Sequence, residues 1–141
     1  MSNSLNITVT LTGKTITFSG DIDNGQISMP QGDYNINFTA GDKTPFTFYG
    51  ITLFGGGQIA GSAGQVFITE TMQGNSIPVF PGTDNNISVV SIDPNNGITL
   101  DNDNSNGAST NVTVASFQIM IKDNSGSLLV SSDPEIINEP K

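Results

Sequence analysis

The chain is predicted to be all-β: an antiparallel β-sandwich, immunoglobulin-like or related, in a single domain covering residues 1–141. Three observations predict this. Apolar residues recur at every second position in one short stretch after another. Gly, Asn, Asp and Pro punctuate those stretches at close intervals, as turns do between strands. No segment carries the 3.6-residue period of an amphipathic helix, and no repeat or domain-scale linker is visible.

Leu5, Ile7, Val9 and Leu11 alternate with polar residues, and after a turn at Gly13-Lys14 the alternation resumes at Ile16 and Phe18, so residues 5–18 read as a hairpin. Asn24-Gly25 is a turn signal because both residues tolerate positive φ. A short strand carries Ile27 and Met29, and another follows with Tyr34, Ile36 and Phe38. Between Phe46 and Leu53 the apolar phase changes at Gly50, which predicts a bulge. Residues 55–64 are a Gly-rich loop without the GK[ST] ending of a phosphate loop. Val66–Met72 reads as a strand, and Pro78–Pro81 as an edge or connecting segment. Ile87–Ile92 is a strand closed by a turn at Asp93–Gly97, and Ile98 and Leu100 begin its return. Residues 101–109 read as a loop, Val112–Ile121 as the longest strand, and Asp123–Gly126 as the turn into Ser127–Val130.

Composition narrows the chemistry. Thirteen acidic residues stand against four basic ones, all lysine, for a formal charge of −9. Phosphate backbones and anionic membranes need cationic side chains, so nucleic acid and membrane surfaces are not expected partners. Without cysteine or histidine there is no thiol nucleophile, no Ser-His-Asp triad and no imidazole or thiolate ligand. Carboxylates, hydroxyls, Tyr34, Tyr49 and the lysines remain. No cofactor or small-molecule ligand is expected, and a metal would be a hard ion such as calcium. Met1–Leu5 lacks a basic segment and an apolar core, so a cytoplasmic location without a secretory signal is expected.

Asp101-Asn102-Asp103-Asn104-Ser105-Asn106-Gly107 reads as a solvated turn rich in Asx-forming residues, with an irregular calcium site at Asp101 and Asp103 as the alternative. The EF-hand pattern does not fit, because glycine is seventh and Val112 stands where the glutamate belongs. Asn6, Asn37, Asn86 and Asn111 each open an N-x-[ST] triplet, which a polar strand face rich in Asn and Thr also produces. The phenylalanines fall on apolar faces and read as core; Tyr49, beside the phase change, is the exception that could stack on a ligand.

The C-terminal stretch, residues 133–141, is an extended tail in which Asp133-Pro134 and Glu139-Pro140 bracket Glu135-Ile136-Ile137-Asn138. Each proline fixes its own φ, lacks an N–H, and biases the preceding residue towards extended geometry. Asp-Pro also has chemistry of its own. The aspartyl carboxyl can attack its own main-chain carbonyl through a five-membered ring while the basic proline nitrogen leaves protonated. Ser131–Pro140, following Phe117–Ile121 and the turn at Asp123–Gly126, resembles the bacterial DP-EP family, named for this terminal motif. The distinctive match covers the residues from Phe117 on; upstream it rests on strand pattern. The resemblance implies a single β-sandwich domain and self-cleavage by aspartic-type chemistry, with Asp133 and Pro134 as the scissile residues.

If residues 123–126 form the turn, Lys122 faces Ser127, and symmetric pairing outward sets Asp133 opposite Ser116. Lys122 then lies about six strand positions away, roughly 20 Å, so no lysine of this hairpin traps an activated aspartyl group and cleavage ends in hydrolysis. Asp93 and Asp101 are the candidate assisting acids; Glu135 is nearest in the chain but directed away, and Asp123 is at the far end. The alternative is a non-enzymatic assembly or binding module, whose tail docks as an edge strand on its own or a neighbouring subunit (the latter making a homo-oligomer), or a weak calcium or carbohydrate binder. Ile136 and Ile137 favour docking of the tail, since their side chains are better buried.

Overall fold

The computed structural model describes residues 3–30, 32–41, 45–54, 65–68, 87–104, 113–132 and 134–138. They form eleven strands: β1 (Asn3–Thr12), β2 (Thr15–Gly20), β3 (Gln26–Met29), β4 (Gly32–Ala40), β5 (Phe46–Phe54), β6 (Gln65–Ile68), β7 (Ile87–Asp93), β8 (Gly97–Asn104), β9 (Thr113–Asp123), β10 (Leu128–Val130) and β11 (Glu135–Asn138). Among the described residues there is no helix, and so none long and apolar enough to cross a membrane. The expected loop at 55–64 and the edge or connecting segment at 78–81 lie outside the described residues.

One sheet has the order β2-β1-β4-β8-β7, the other β3-β11-β9-β5-β6 with β10 also paired to β9. The purely antiparallel pairing expected from the turn signals does not hold in either sheet, because β1 runs parallel to β4 and β3 parallel to β11. The reason lies in the route of the chain. After β2 it leaves the first sheet for β3 in the second, then returns to β4 alongside β1. Turn residues reveal hairpins between neighbours and say nothing about such returns.

Alternation does its expected work within the strands. Ile7, Val9 and Leu11 of β1, Tyr34, Ile36 and Phe38 of β4, and Phe117, Ile119 and Ile121 of β9 are all buried, with polar residues between them. The two sheets contribute to one apolar cluster, in which the Phe117 ring lies 5.2 Å from Phe38 and 5.9 Å from Phe18. Asn24 and Gly25 take φ of 51° and 74° in the turn into β3, and the β5–β9 register shifts between Phe48 and Gly50, where the bulge was expected. Gly97 opens β8 at φ 110°, and a Cβ there would collide with the Phe38 carbonyl oxygen. Only glycine suits that close approach.

The outer face of the first sheet explains two of the N-x-[ST] triplets. Asn6 and Asn37 stand side by side on parallel strands, as do Thr8 and Thr39. Asn37 Nδ2 donates to Asn6 Oδ1 at 3.3 Å and Thr99 Oγ1 donates to Asn37 Oδ1 at 3.2 Å, a polar ladder across three strands. β8 also departs from expectation: it continues through Asp101–Asn104, where a loop was expected. Leu100 and Asn102 face inward there while Asp101 lies on the outer face, so alternation overrides the turn-like composition.

Asn102 is a polar side chain inside the core, fully buried, with Nδ2 donating to Met29 Sδ at 3.0 Å. This contact ties β8 of one sheet to β3 of the other. Truncation in Asn102→Ala removes the tie and leaves a cavity, so urea denaturation is expected to show a loss of about 1–3 kcal/mol; an unchanged midpoint would count against the tie.

Candidate functional site at the break in the C-terminal strand

β10 and β11 lie in succession along the same edge of β9. In β10, Leu128 faces Lys122, Leu129 faces Ile121 and Val130 faces Met120. Ser131 continues this register, its N–H donating to Ile119 O at 2.9 Å. When pairing resumes, Glu135 faces Ser116 and Ile136 faces Ala115. From Ser131 opposite Ile119 to Glu135 opposite Ser116 the tail advances four positions while β9 advances three, one residue too many for a regular ladder.

Side-chain phase explains the extra residue. Leu129 and Ser131 face the core side, matching the odd-numbered inward residues of β9. Uninterrupted register would turn Asp133, Glu135 and Ile137 inward, burying two carboxylates. The extra residue turns Pro134 and Ile136 inward instead; both are buried, Ile136 completely.

Both flanks of the break are anchored. Upstream, Ser131 is 5 % exposed, and its Oγ accepts from Ile119 N–H at 2.9 Å and donates to Ser132 O at 2.6 Å. Gln118 Nε2 donates to Ser131 O at 3.3 Å. Downstream, Phe117 N–H donates to Pro134 O at 3.0 Å, and Glu135 N–H donates to Gly25 O at 2.8 Å. β11 is hydrogen-bonded on both sides, to β9 and β3, so the tail is an interior strand of its own chain's sheet and not the edge strand expected of a docking tail.

The expected site residues divide accordingly. Asp133 lies outside the described residues. Ser116 is next to the anchored Pro134–Phe117 contact, but it faces Glu135, two residues beyond the expected Asp133. The symmetric register failed because pairing starts with Leu128 opposite Lys122, one residue later than assumed, and gains one more at the break. Glu135 is turned to Gln26, whose Nε2 donates to Glu135 Oε1 at 3.4 Å.

Neither candidate assisting acid reaches Pro134. Asp93 is committed to its turn, its Oδ1 accepting from Asn95 N–H and Asn96 N–H at 2.9 Å each, and these bonds hold its pKa below the ordinary value. That turn touches β5 where Pro94 O accepts from Phe48 N–H, level with Ile121. Five strand steps separate Ile121 from Ser116, about 17 Å. Asp101 belongs to the other sheet, on the face turned away from the core, between Asn35 and Ser88. Burial first, then a hydrogen bond and the charge of Asp33, then the charge of Asp103, push its pKa up to about 6. Asp123 organises the β9–β10 turn, accepting from Ser125 Oγ at 2.7 Å and from Ser125 and Ser127 N–H at 2.9 and 3.0 Å, which lowers its pKa.

Lys122 is likewise elsewhere, its Nζ 4.6 Å from the centre of the Tyr49 ring, so Tyr49 already has a stacking partner. Lys14 pairs with Asp123 at 3.9 Å, at the far end of β9. Among the described residues, no group of three Asp or Glu is arranged to hold a metal ion, and the calcium alternative at Asp101 and Asp103 falls on a strand instead of a loop. The residues that sequence reasoning missed are Ser131, Gln118 and Gly25. Only the phase change between Ser131 and Pro134 could have pointed to the first.

Comparison with protein-family models, with curated proteins and with solved structures returned no match.

Proposed function

We propose that this chain is a DP-EP-like bacterial β-sandwich, immunoglobulin-like in its layering, that cleaves itself at Asp133-Pro134 and acts on no other substrate. The break in the C-terminal strand carries the reading. The described residues on either side of Asp133 support it: Ser131 and the Ser132 carbonyl are anchored upstream, and Pro134 O and Glu135 N–H downstream. Such anchoring favours an intramolecular attack by removing freedom that the reaction would otherwise have to remove.

The protonated Asp133 carboxyl supplies both nucleophile and proton. Its oxygen bonds to the Asp133 main-chain carbonyl carbon, the bond to the Pro134 nitrogen breaks, and that nitrogen takes the proton. Water then opens the cyclic anhydride to restore Asp133, now with a free α-carboxyl. With Asp93 and Asp101 remote, no second acid is assigned. With Lys122 over Tyr49, hydrolysis and not cross-linking ends the reaction.

Intact-mass measurement during prolonged incubation at mildly acidic pH tests the reading. Two products are expected, summing to the parent mass plus one water, the smaller beginning at Pro134. Asp133→Ala should abolish them, and Asp101→Asn should not. The sample must be denatured first, because β11 is bonded on both edges and its fragment should stay with the body of the protein under native conditions. A single unchanged mass would refute self-cleavage.

A second reading is favoured by the same placement. As an interior strand, the tail can serve a non-enzymatic assembly or binding module simply by completing its sheet. Cleavage products whose appearance depends on Asp133 would decide against it.

A further inference from the structure

We propose that the open edge of β1, with the cleft beside it, binds an extended basic peptide, pairing with its backbone and holding one of its lysine or arginine side chains. The proposal does not depend on self-cleavage. β4 runs beside β1 from Asn3 to Val9, whereas β2 pairs with it only from Ile7, opposite Gly20. Gly20, at φ 99°, turns the chain out of the first sheet. Asp21 closes the ladder one step further on, its N–H donating to Asn6 O at 3.0 Å and its Oδ2 accepting from Asn6 N–H at 2.8 Å. Backbone groups alternate sides along a strand, so Ser4 presents its N–H and C=O on the same side as Asn6. Among the described residues neither group has a partner. Such an edge is a template for an added strand.

A cleft of about 460 Å³ opens beside that edge, where the chain crosses from β2 to β3. Leu5 and Ile22 give it an apolar wall, both half-buried and packed against the core. Asp21 and Asp23 also line it and are exposed. Asp23 bonds Gln26 through backbone groups, at 2.9 Å in each direction, and its carboxylate is uncommitted among the described residues. Gln26, on the same lining, holds Glu135 Oε1 at 3.4 Å, so a third carboxylate stands close by. The described lysines are elsewhere, Lys14 with Asp123 and Lys122 over Tyr49.

Carboxylates beside an apolar wall suit a cation on a hydrocarbon stem, the stem against Leu5 and Ile22 and the head at Asp21 and Asp23. A bare metal ion is a poorer match, because no group of three acidic side chains among the described residues could hold one. A second copy is poorer still. Each chain carries a formal charge of −9, so two copies repel, whereas a basic segment is drawn in. A free polyamine shares the cationic chemistry but has no backbone to pair with Ser4.

The test titrates the full chain, at low salt, into a fluorescein-labelled peptide of alternating threonine and lysine, read by anisotropy. Saturable binding is expected, and a probe with glutamate for lysine should not bind. Asp21→Asn combined with Asp23→Asn should weaken binding about fivefold or more; the amide oxygen can still accept from Asn6 N–H, so the edge is kept. Asp93→Asn combined with Asp123→Asn removes equal charge at distant turns and should leave binding unchanged. Ser4→Pro removes the open N–H, which an edge strand tolerates, and should cost about threefold to tenfold. Methylating the probe's backbone nitrogens should weaken it likewise, whatever proline does to the fold. Three results would each overturn the proposal: undiminished binding after both backbone changes, equal weakening by the two double variants, or spermidine binding as tightly as the peptide.

Discussion

Replacing Ile136 with alanine is expected to lower the unfolding free energy by about 2–5 kcal/mol, a large share of the roughly 5–15 kcal/mol that holds a domain of this kind together. Ile136 is completely buried, opposite Ala115 on one side and Ile27 on the other. Its neighbour Ile137 is half-buried on the opposite face, so Ile137→Ala should cost clearly less. Deleting residues 133–141 is expected to do more than either. It strips the second sheet of an interior strand, leaves the edges of β3 and β9 without their partners, and removes the acceptor of Phe117 N–H and the donor to Gly25 O. Equilibrium urea unfolding followed by circular dichroism gives the measurement. A truncated chain with an unchanged midpoint would show that β11 contributes nothing to the fold.

The second large effect concerns pH. The pKa of Asp101, raised to about 6 in the folded chain from an ordinary 3.8, means that the folded state keeps a proton which the unfolded state has lost. Stability therefore falls as pH rises from about 4 to about 6, and above that the whole penalty remains. Two pKa units correspond to about 3 kcal/mol; solvent screening of this partly exposed group reduces the expectation to about 1–2 kcal/mol. Asp101→Asn should remove the slope, leaving the protein more stable than the unsubstituted chain at pH 7 and equal to it near pH 3. A variant that is no more stable at pH 7 would refute the coupling. Asp93 and Asp123 act in the opposite sense. Their lowered pKa values give stability that is present above the ordinary carboxylate value and lost as pH falls below it.

Alternation and turn chemistry made most of the strands legible. The hairpin of β1 and β2, the Asn24-Gly25 turn and the bulge at Gly50 all follow from local residue order. Three features did not. Asp101–Asn104 has the composition of a turn, yet Leu100 and Asn102 give it an inward face and β4 supplies a partner strand. The parallel pairs β1–β4 and β3–β11 depend on which sheet the chain enters next, and no dipeptide encodes that. The register of the tail turned on one residue between Ser131 and Pro134. The parity of Leu129, Ser131, Pro134 and Ile136 already contained it, but only once β9 was known to present its odd-numbered residues to the core. The Asp-Pro dipeptide was the most visible part of the candidate site, and the groups anchoring its described neighbours were the least visible. They are backbone amides and a serine hydroxyl, groups that every sequence has in plenty.

The parallel pairing of β11 with β3 also bears on how the protein is made. Glu135 meets Gln26 at a separation of 109 positions along the chain, so β3 has no neighbour on that side until translation has passed residue 138. Pairings between such distant segments close slowly, because the entropy of the long loop is lost before any contact compensates for it. The β3–β11 pairing therefore forms only once Glu135–Asn138 has been made, and that strand arrives with an Asp-Pro bond directly before it.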